Sequence, residues 1–94
     1  MSTIEHRPDQ QRFEATLKAG RGEVAYRLNG DVMTILHTEV DPSLEGQGVA
    51  GQLVQAALDH ARAHGLKVEP VCSYASKYMQ RHPESEALRA QASP

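Results

Sequence analysis

The sequence predicts a small α+β domain, and three observations lead to that prediction. Residues 12–40 alternate between apolar and polar side chains with the period of two that is typical of strands. Residues 48–64 carry apolar side chains at helical spacing instead. The 94 residues are 39% hydrophobic and 23% charged, which fits one soluble domain with a modest core. The expected order is β-β-β-α-β-α, an antiparallel three-stranded meander followed by a helix, a parallel strand and a second helix.

Three strands are expected in the first forty residues. The first covers Arg12–Ala19, and its apolar side chains fall on one face: Phe13, Ala15 and Leu17. Gly20-Arg21-Gly22 predicts the first turn. The second strand covers Glu23–Leu28 and leads into Asn29-Gly30, the strongest short hairpin signal in the chain. A run rich in β-branched residues then predicts a third strand over Val32–Val40.

The second half of the chain predicts a βαβ unit and a short final helix. The first helix should run from about Gly48 to His64, because Gly65 is a good residue to end it. The next strand, Leu66–Val71, should lie parallel to the third. It contains Pro70, which has no N–H to donate, so we expect the parallel pair to splay there. Ser73–Gln80 is typical of a short helix.

Both chain ends are predicted to be flexible tails. The folded domain is expected to span residues 12–85, with tails at 1–11 and 86–94, although residues 85–92 can add a final helical turn. The first ten residues are polar and lack the apolar segment of a secretory signal.

Composition excludes several classes of function. The net charge of −2, with only four Tyr and Phe residues and no Trp, argues against a nucleic-acid partner. No stretch approaches the roughly 20 apolar residues of a membrane span, so no membrane partner is expected. Cys72 is the only cysteine, which rules out an intrachain disulfide and favours a reducing cytoplasm. The five histidines form no metal-binding motif, so no metal is expected.

A glycine-rich loop, Gly46-Gln47-Gly48-Val49-Ala50-Gly51, joins the third strand to the first helix. Exposed backbone N–H groups and a helix N-terminus together favour an anion such as phosphate. The Gly-Lys-Ser/Thr ending of a P-loop is absent. The letters fit the dinucleotide fingerprint, with Glu69 near the position of its ribose-binding acid. That reading is disfavoured because five residues separate Val40 from Gly46. A simple tight turn remains the alternative.

Several further motifs occur in order and at spacings that resemble the GNAT superfamily of acetyltransferases, particularly its short single-domain branch. They are His37-Thr38-Glu39-Val40, Gln47-Gly48-Val49-Ala50, Cys72-Ser73-Tyr74 with Tyr78, and Arg81-His82-Pro83-Glu84. The resemblance covers residues 13–84. Glu45 departs from it, since Arg or Gln usually stands there and a carboxylate repels a pyrophosphate unless it points away. Ser85 replaces the usual aromatic residue.

The resemblance implies a small GNAT-like fold with acetyl-CoA as its cofactor. The backbone of the glycine loop would hold the pyrophosphate, and the pantetheine arm would lie between the splayed strands. The implied cofactor-binding residues are Val40, Gln47, Gly48, Val49, Ala50, Gly51 and Arg81.

The resemblance also implies catalytic residues for acetyl transfer. His37 and Glu39 share one face of their strand and would supply the general base. Cys72, activated by a nearby His37, would accept the acetyl group, and Tyr78 would protonate the departing thiolate. Each residue also has a structural interpretation: a packed His37, a solvated Glu39, a buried Cys72, a core Tyr78, and an Arg81 that caps its helix.

The function predicted on this basis is an N-acetyltransferase that passes an acetyl group from acetyl-CoA to an unidentified amine. The acceptor would be a small molecule or a protein. The alternative is a non-catalytic module on the same fold that binds coenzyme A or another protein. We expect a monomer or a weak homodimer, because the meander should leave one sheet edge open.

Overall fold

A computed structural model describes residues 4–90 and contains one five-stranded sheet. The strands follow the chain order across the sheet: β1 Ile4–Arg7, β2 Arg12–Leu17, β3 Gly20–Asn29, β4 Val32–Val40 and β5 Lys67–Pro70. Neighbouring strands are antiparallel from β1 to β4, whereas β4 and β5 are parallel. The predicted α+β class, with its meander and its parallel pair, is therefore confirmed.

Two α-helices follow β4, and both were expected. Helix α1 covers Val49–Ala63 and helix α2 covers Ser73–Arg81. Gly65 has a φ of 68°, and Leu66 N–H donates to the Ala61 carbonyl at 2.8 Å, so α1 ends in a Schellman motif. Short 3₁₀ turns cover Pro8–Gln10, Pro42–Leu44 and Pro83–Leu88. Neither helix is long and apolar enough to cross a membrane, within the part of the chain that the structure describes.

The helices cover one face of the sheet and leave the other open. Strand residues that point toward α1 are almost fully buried, including Val24, Met33, Ile35 and Val68. From α1 itself they meet Leu53, Val54, Ala57, Leu58 and Ala61, all with no exposed surface. Burying these side chains contributes about 1.5–3 kcal/mol for each large one. The opposite face carries mostly charged side chains and has no helix against it.

A β-bulge at Leu36 changes which side chains of β4 face the helices. Ala25 of β3 pairs with His37, but the next residue, Tyr26, pairs with Ile35, so Leu36 is an extra residue. Before the bulge, Ile35 points to the covered face. After it, Thr38 pairs with the buried Val24 and points to that face instead. His37 and the other odd-numbered residues beyond the bulge therefore lie on the open face.

The N-terminal segment differs from the predicted tail. Residues 4–7 form β1, in which Ile4 pairs with Ala15 and His6 with Phe13. This strand has only one strongly apolar residue, so its alternation is weak in the sequence. Its position depends on tertiary contacts made by His6. Residues 1–3 of the predicted tail lie outside the described residues.

The C-terminal segment also differs from the predicted tail. After the 3₁₀ turn Pro83–Leu88, Arg89 forms a parallel bridge with Val68 of β5. Ala90 N–H donates to the Val68 carbonyl at 2.7 Å. The chain is therefore packed against the sheet as far as residue 90, and residues 91–94 lie outside the described part.

The first predicted turn is displaced by two residues. Gly20, Arg21 and Gly22 belong to β3, and the chain turns at residues 18–19 instead. A Cβ atom on Gly22 would lie 3.1 Å from both Leu53 and Val40 side chains. Glycine is needed there for close packing of α1 on the sheet, which is a tertiary requirement. The predicted hairpin is present, with Asn29 paired to Val32 and a positive φ at Gly30.

Candidate functional site

The loop between β4 and α1 has a backbone that only glycine adopts easily. Gly46 has a φ of 84° and Gly48 a φ of 76°, both in the left-handed region. Leu44, which is 1% exposed, anchors the start of the loop in the core. The loop is therefore fixed at its base while its tip, residues 45–48, lies in solvent.

The first turn of α1 presents backbone N–H groups without a side-chain cap. Gly48 is the N-cap residue, and no side chain caps the helix there. The first N–H groups of a helix have no partner inside the helix, and the helix dipole makes that end positive. The N–H of Gln47 differs, because it already donates to the Leu44 carbonyl at 3.2 Å. Of the predicted loop donors, those from Gly48 to Gly51 are the ones suited to an anion.

A groove continues from this loop along the outer side of α1. It has a volume of about 610 Å³, and its lining includes Gly48, Gly51, Gln52, Gln55, Tyr78 and Ile4. A Cβ atom on Gly51 would lie 3.4 Å from the hydroxyl of Tyr74 and from the ring of Tyr78. Gly51 thus has a second role, since it allows the tyrosines of α2 to approach α1.

Tyr78 is held in this groove by a short chain of hydrogen bonds. Its hydroxyl donates to Gln55 Oε1 at 2.5 Å, and Gln55 Nε2 donates to Asp59 at 2.8 Å. Its ring stacks on His82 with a centroid distance of 3.9 Å. Burial, followed by the nearby Tyr74, raises the pKa of Tyr78, so the phenol keeps its proton at neutral pH. Sequence analysis identified Tyr78 but not Gln55, because Gln55 belongs to no recognisable motif.

The parallel strands β4 and β5 separate at Ile35 and Pro70. The last pair of the β4–β5 ladder joins Ile35 to Pro70, and β4 continues to Val40 alone on that side. The N–H groups of Val71 and Cys72 both donate to the Ile35 carbonyl, at 3.1 and 3.0 Å. The chain then turns into α2, which leaves the β5 side of residues 36–40 without a strand partner in the described part of the chain.

Cys72 lies where the strands separate and contacts a residue that sequence analysis did not identify as functional. It is the N-cap residue of α2 and is half-buried. Its Sγ lies 3.6 Å from the hydroxyl oxygen of Thr38. Thr38 faces Cys72 only because of the bulge at Leu36, and no signal in the sequence marks a bulge there.

His37 and Glu39 lie on the other face of β4. His37 Nε2 is 3.6 Å from Glu23 Oε2, and half of the His37 side chain is exposed. Glu39 is also exposed and pairs with Glu23 across the strands. The two residues share a face, as expected, but the structure does not bring His37 to Cys72. The expected activation of the thiol by a neighbouring His37 therefore has no support in the geometry.

Arg81 is the last residue of α2. With Tyr74, Lys77, Tyr78 and His82 it lines a cavity of about 410 Å³. Neither Arg81 nor Lys77 takes part in an ion pair within residues 4–90. Both cations are thus available to an anionic group. No three histidine, cysteine or carboxylate side chains converge as metal ligands would in the same range.

Two comparisons with known proteins bear on this arrangement. The family model for GCN5-related N-acetyl-transferases matches residues 12–88. The fold matches the solution NMR structure of a GCN5-like protein from Staphylococcus aureus, with a TM-score of 0.73 and 26% sequence identity. That match covers 99% of this chain and 94% of the other. The family model includes the glycine loop, the separating strands and both tyrosines of α2, so the chain belongs to the GCN5-related N-acetyltransferase family.

Proposed function

We propose that this protein transfers an acetyl group from acetyl-CoA to an amine. One observation carries the proposal: β4, which separates from its parallel neighbour β5, leads through a glycine loop into an uncapped helix N-terminus, and α2, which follows β5, packs against that first turn at Gly51. The helix N-terminus suits a pyrophosphate, and the separated part of β4 offers an unpaired strand edge to the amide groups of a pantetheine arm. Family membership supports the same activity.

The residues present fit acetyl-CoA on structural grounds. Gly46 and Gly48 keep the loop free of side chains, and nothing lies within 4 Å of the position where either Cβ would be. Arg81 and Lys77 supply unpaired positive charge beside α2. We infer that Gly48, Val49, Ala50 and Gly51 hold the pyrophosphate, that Val40 borders the arm, and that Arg81 contacts a phosphate. Bound acetyl-CoA would supply the acetyl group in activated form as a thioester.

The side chains that we propose to take part in the reaction lie on two different faces of β4. On the covered face, Cys72 offers a nucleophilic sulfur that Thr38 orients, and the protonated Tyr78 can donate a proton to a leaving group. On the open face, His37 and Glu39 can accept a proton from an amine. Because His37 and Cys72 lie on opposite faces, we infer that the base acts on the acceptor. In transfer to Cys72 the thioester bond would break as the acetyl–sulfur bond forms, and the thiol proton would end on the coenzyme A sulfur.

The first test is calorimetric titration of the protein with acetyl-CoA, with NAD and ATP as comparison ligands. Acetyl-CoA should bind saturably, and Gly48→Glu should abolish binding because a carboxylate would occupy the anion site. Gly30→Glu is a matched control, since Gly30 also has a positive φ and open space around it but lies in the β3–β4 hairpin. Equal loss of binding in both variants, or preference for NAD, would contradict the proposal.

A second test separates transfer from binding alone. The protein is incubated with acetyl-CoA and a panel of primary amines, and products are identified by mass spectrometry. An acetylated amine supports the enzyme, whereas binding without any product would favour the non-catalytic module. Intact-protein mass after the same incubation, with and without Cys72→Ala, tests whether Cys72 carries the acetyl group.

A further inference from the structure

The N-terminal strand forms part of the wall of the proposed cofactor groove. Ile4 of β1 lines the groove together with Tyr78 of α2 and with Gln55 and Ala56 of α1. β1 has four residues and lies at the edge of the sheet, with β2 as its only neighbour among the strands of residues 4–90. A short edge strand with one neighbour is among the elements that open most easily. Its attachment to α1 therefore determines whether this wall of the groove is in place.

A row of three imidazole rings joins β1 to α1. His6 of β1 packs edge-on against His60 with a centroid distance of 4.4 Å, and His60 stacks on His64 at 4.0 Å. His6 also stacks on Phe13 of β2 and forms a hydrogen bond with the hydroxyl of Tyr26 of β3. We call His6, His60 and His64 the histidine row.

Two rings of the histidine row resist protonation. Burial, followed by the charge of His64, lowers the pKa of His6. Burial, followed by His6 and His64, lowers the pKa of His60. The other rings that face His6 are Phe13 and Tyr26, and none of the groups that shift these two histidines is a carboxylate. A second proton in the row would therefore meet a like charge on a ring whose centroid lies 4.0 or 4.4 Å away.

Protonation would weaken the row without breaking its hydrogen bond. His6 Nε2 can bond to the Tyr26 hydroxyl in either protonation state, because a hydroxyl both accepts and donates. His64 Nδ1 donates to the His60 carbonyl at 2.9 Å within α1, so His64 cannot turn away without losing that bond. The cost of acid falls on the contact between His6 and His60, which is a side-chain contact between β1 and α1.

We propose that β1 is a histidine-latched wall of the cofactor groove, closed when the histidine row is neutral and released when the row takes up protons in mild acid. The part of this proposal that concerns the groove rests on the proposed function. Release of β1 removes Ile4 from the groove and lowers the affinity for acetyl-CoA. The latch itself requires no ligand.

Amide hydrogen exchange of the ligand-free protein, followed by NMR at about pH 7.5 and about pH 5.5, tests the latch. After correction for intrinsic rates, the β1 amides should lose protection at the lower pH, because the open form binds protons more tightly than the closed form. The β3 and β4 amides serve as an internal reference. Unchanged β1 protection would overturn the proposal.

Two variants assign the effect to the row. His6→Phe keeps the stacking on Phe13 but cannot be protonated, so the pH dependence of β1 protection should shrink to the part that His60 contributes. His37→Gln removes a histidine on the open face and should leave the pH dependence of β1 as it is in the parent protein. An undiminished pH dependence in His6→Phe would overturn the assignment to the row.

Acetyl-CoA affinity of the parent protein and of His6→Phe at the two pH values tests the link to the groove. Affinity should fall in acid more steeply in the parent protein than in His6→Phe. The phosphate of the ligand titrates equally in both experiments, so the comparison of the two proteins removes its contribution. Equal slopes would overturn the link. No binding at either pH would overturn the proposed function instead, while the exchange data would still decide whether the latch exists.

Discussion

The two faces of the sheet are stabilised by different interactions, although the same strands form both. The covered face consists of apolar side chains with almost no exposure, so its stability depends on how closely these side chains pack. The open face consists of charges in register, with Glu5, Glu14, Glu23 and Glu39 directly opposite one another across four strands. Like charges in such a row are destabilising unless cations lie beside them. The open face therefore depends on charge balance.

That balance is uneven along the row. Glu14 is buried and is held by Arg7 at 3.0 Å and Arg12 at 2.7 Å, and the hydrogen bond from Arg7 lowers the pKa of Glu14. Glu23 has longer contacts, to Arg12 at 3.9 Å and to His37 at 3.6 Å. Glu39 has no ion pair among residues 4–90. The charged face is therefore tied together by close ion pairs at β2 and much more weakly at β4.

The largest expected effect comes from breaking the covered face. Leu53→Ala should lower the free energy of unfolding by about 2–5 kcal/mol, because Leu53 is fully buried against the sheet. Arg27→Ala on the open face should change it by less than about 0.5 kcal/mol, since Arg27 is exposed and forms no ion pair in the described residues. Urea denaturation measures both. Similar losses would show that the faces do not differ in this way.

The next effect separates the chemistry of the two faces, and it rests on the proposed function. Cys72→Ala and His37→Ala should each lower turnover about a hundredfold or more, which is typical for loss of a nucleophile or a general base. Both should bind acetyl-CoA nearly as well as the parent protein. Parent-like rates in both variants would remove these residues from the mechanism.

The two faces should also lose stability in different ranges of pH. Since the folded-state pKa of His6 and His60 lies below the ordinary 6.5, the unfolded chain binds more protons in mild acid, and stability falls as the pH drops below about 6.5. The contribution of Glu14 is present above its ordinary 4.5 and is lost only as the pH falls below that value. His6→Phe should reduce the upper step of the stability curve, because only His60 then contributes to it, and should leave the lower step unchanged. Thermal unfolding across the pH range would show one step if the assignment is wrong.

The smallest expected effect is on acetyl-CoA affinity, and it concerns the loop that follows β4. Glu45→Gln should tighten acetyl-CoA binding by about two- to fivefold, since it removes an exposed negative charge next to the proposed pyrophosphate site. Asp31→Asn makes the same change of charge at the other end of β4 and should have no effect. The gain should shrink in high salt. An identical gain in both variants would mean that only the net charge matters.

Most of the fold could be predicted because its signals are local. Phe13, Ala15 and Leu17 alternate within one strand, and Leu53, Val54 and Leu58 recur within one helix, so each pattern is visible in a short window. β1 could not be predicted in this way. Its inward residues are Ile4 and His6, and His6 becomes a packing residue only when Phe13, Tyr26 and His60 surround it.

The candidate site could be predicted in part for a similar reason. Gly46, Gly48 and Gly51 mark the loop because glycine alone suits those positions, whereas Thr38 gave no signal. In a regular strand, His37 would lie on the same face as Ile35, and therefore beside Cys72. The bulge at Leu36 reverses this order, and a bulge depends on the pairing between strands, which a single strand's sequence does not reveal.

The attachment of residues 89–90 to β5 has a consequence for handling the protein. The bridge between Arg89 and Val68, with the bond from Ala90 N–H, covers the outer edge of β5 with the chain's own backbone. A chain shortened before Arg89 would expose that edge, and an exposed strand edge pairs readily with another molecule. Such a protein would keep its core and its glycine loop but would associate through β5 as its concentration rises.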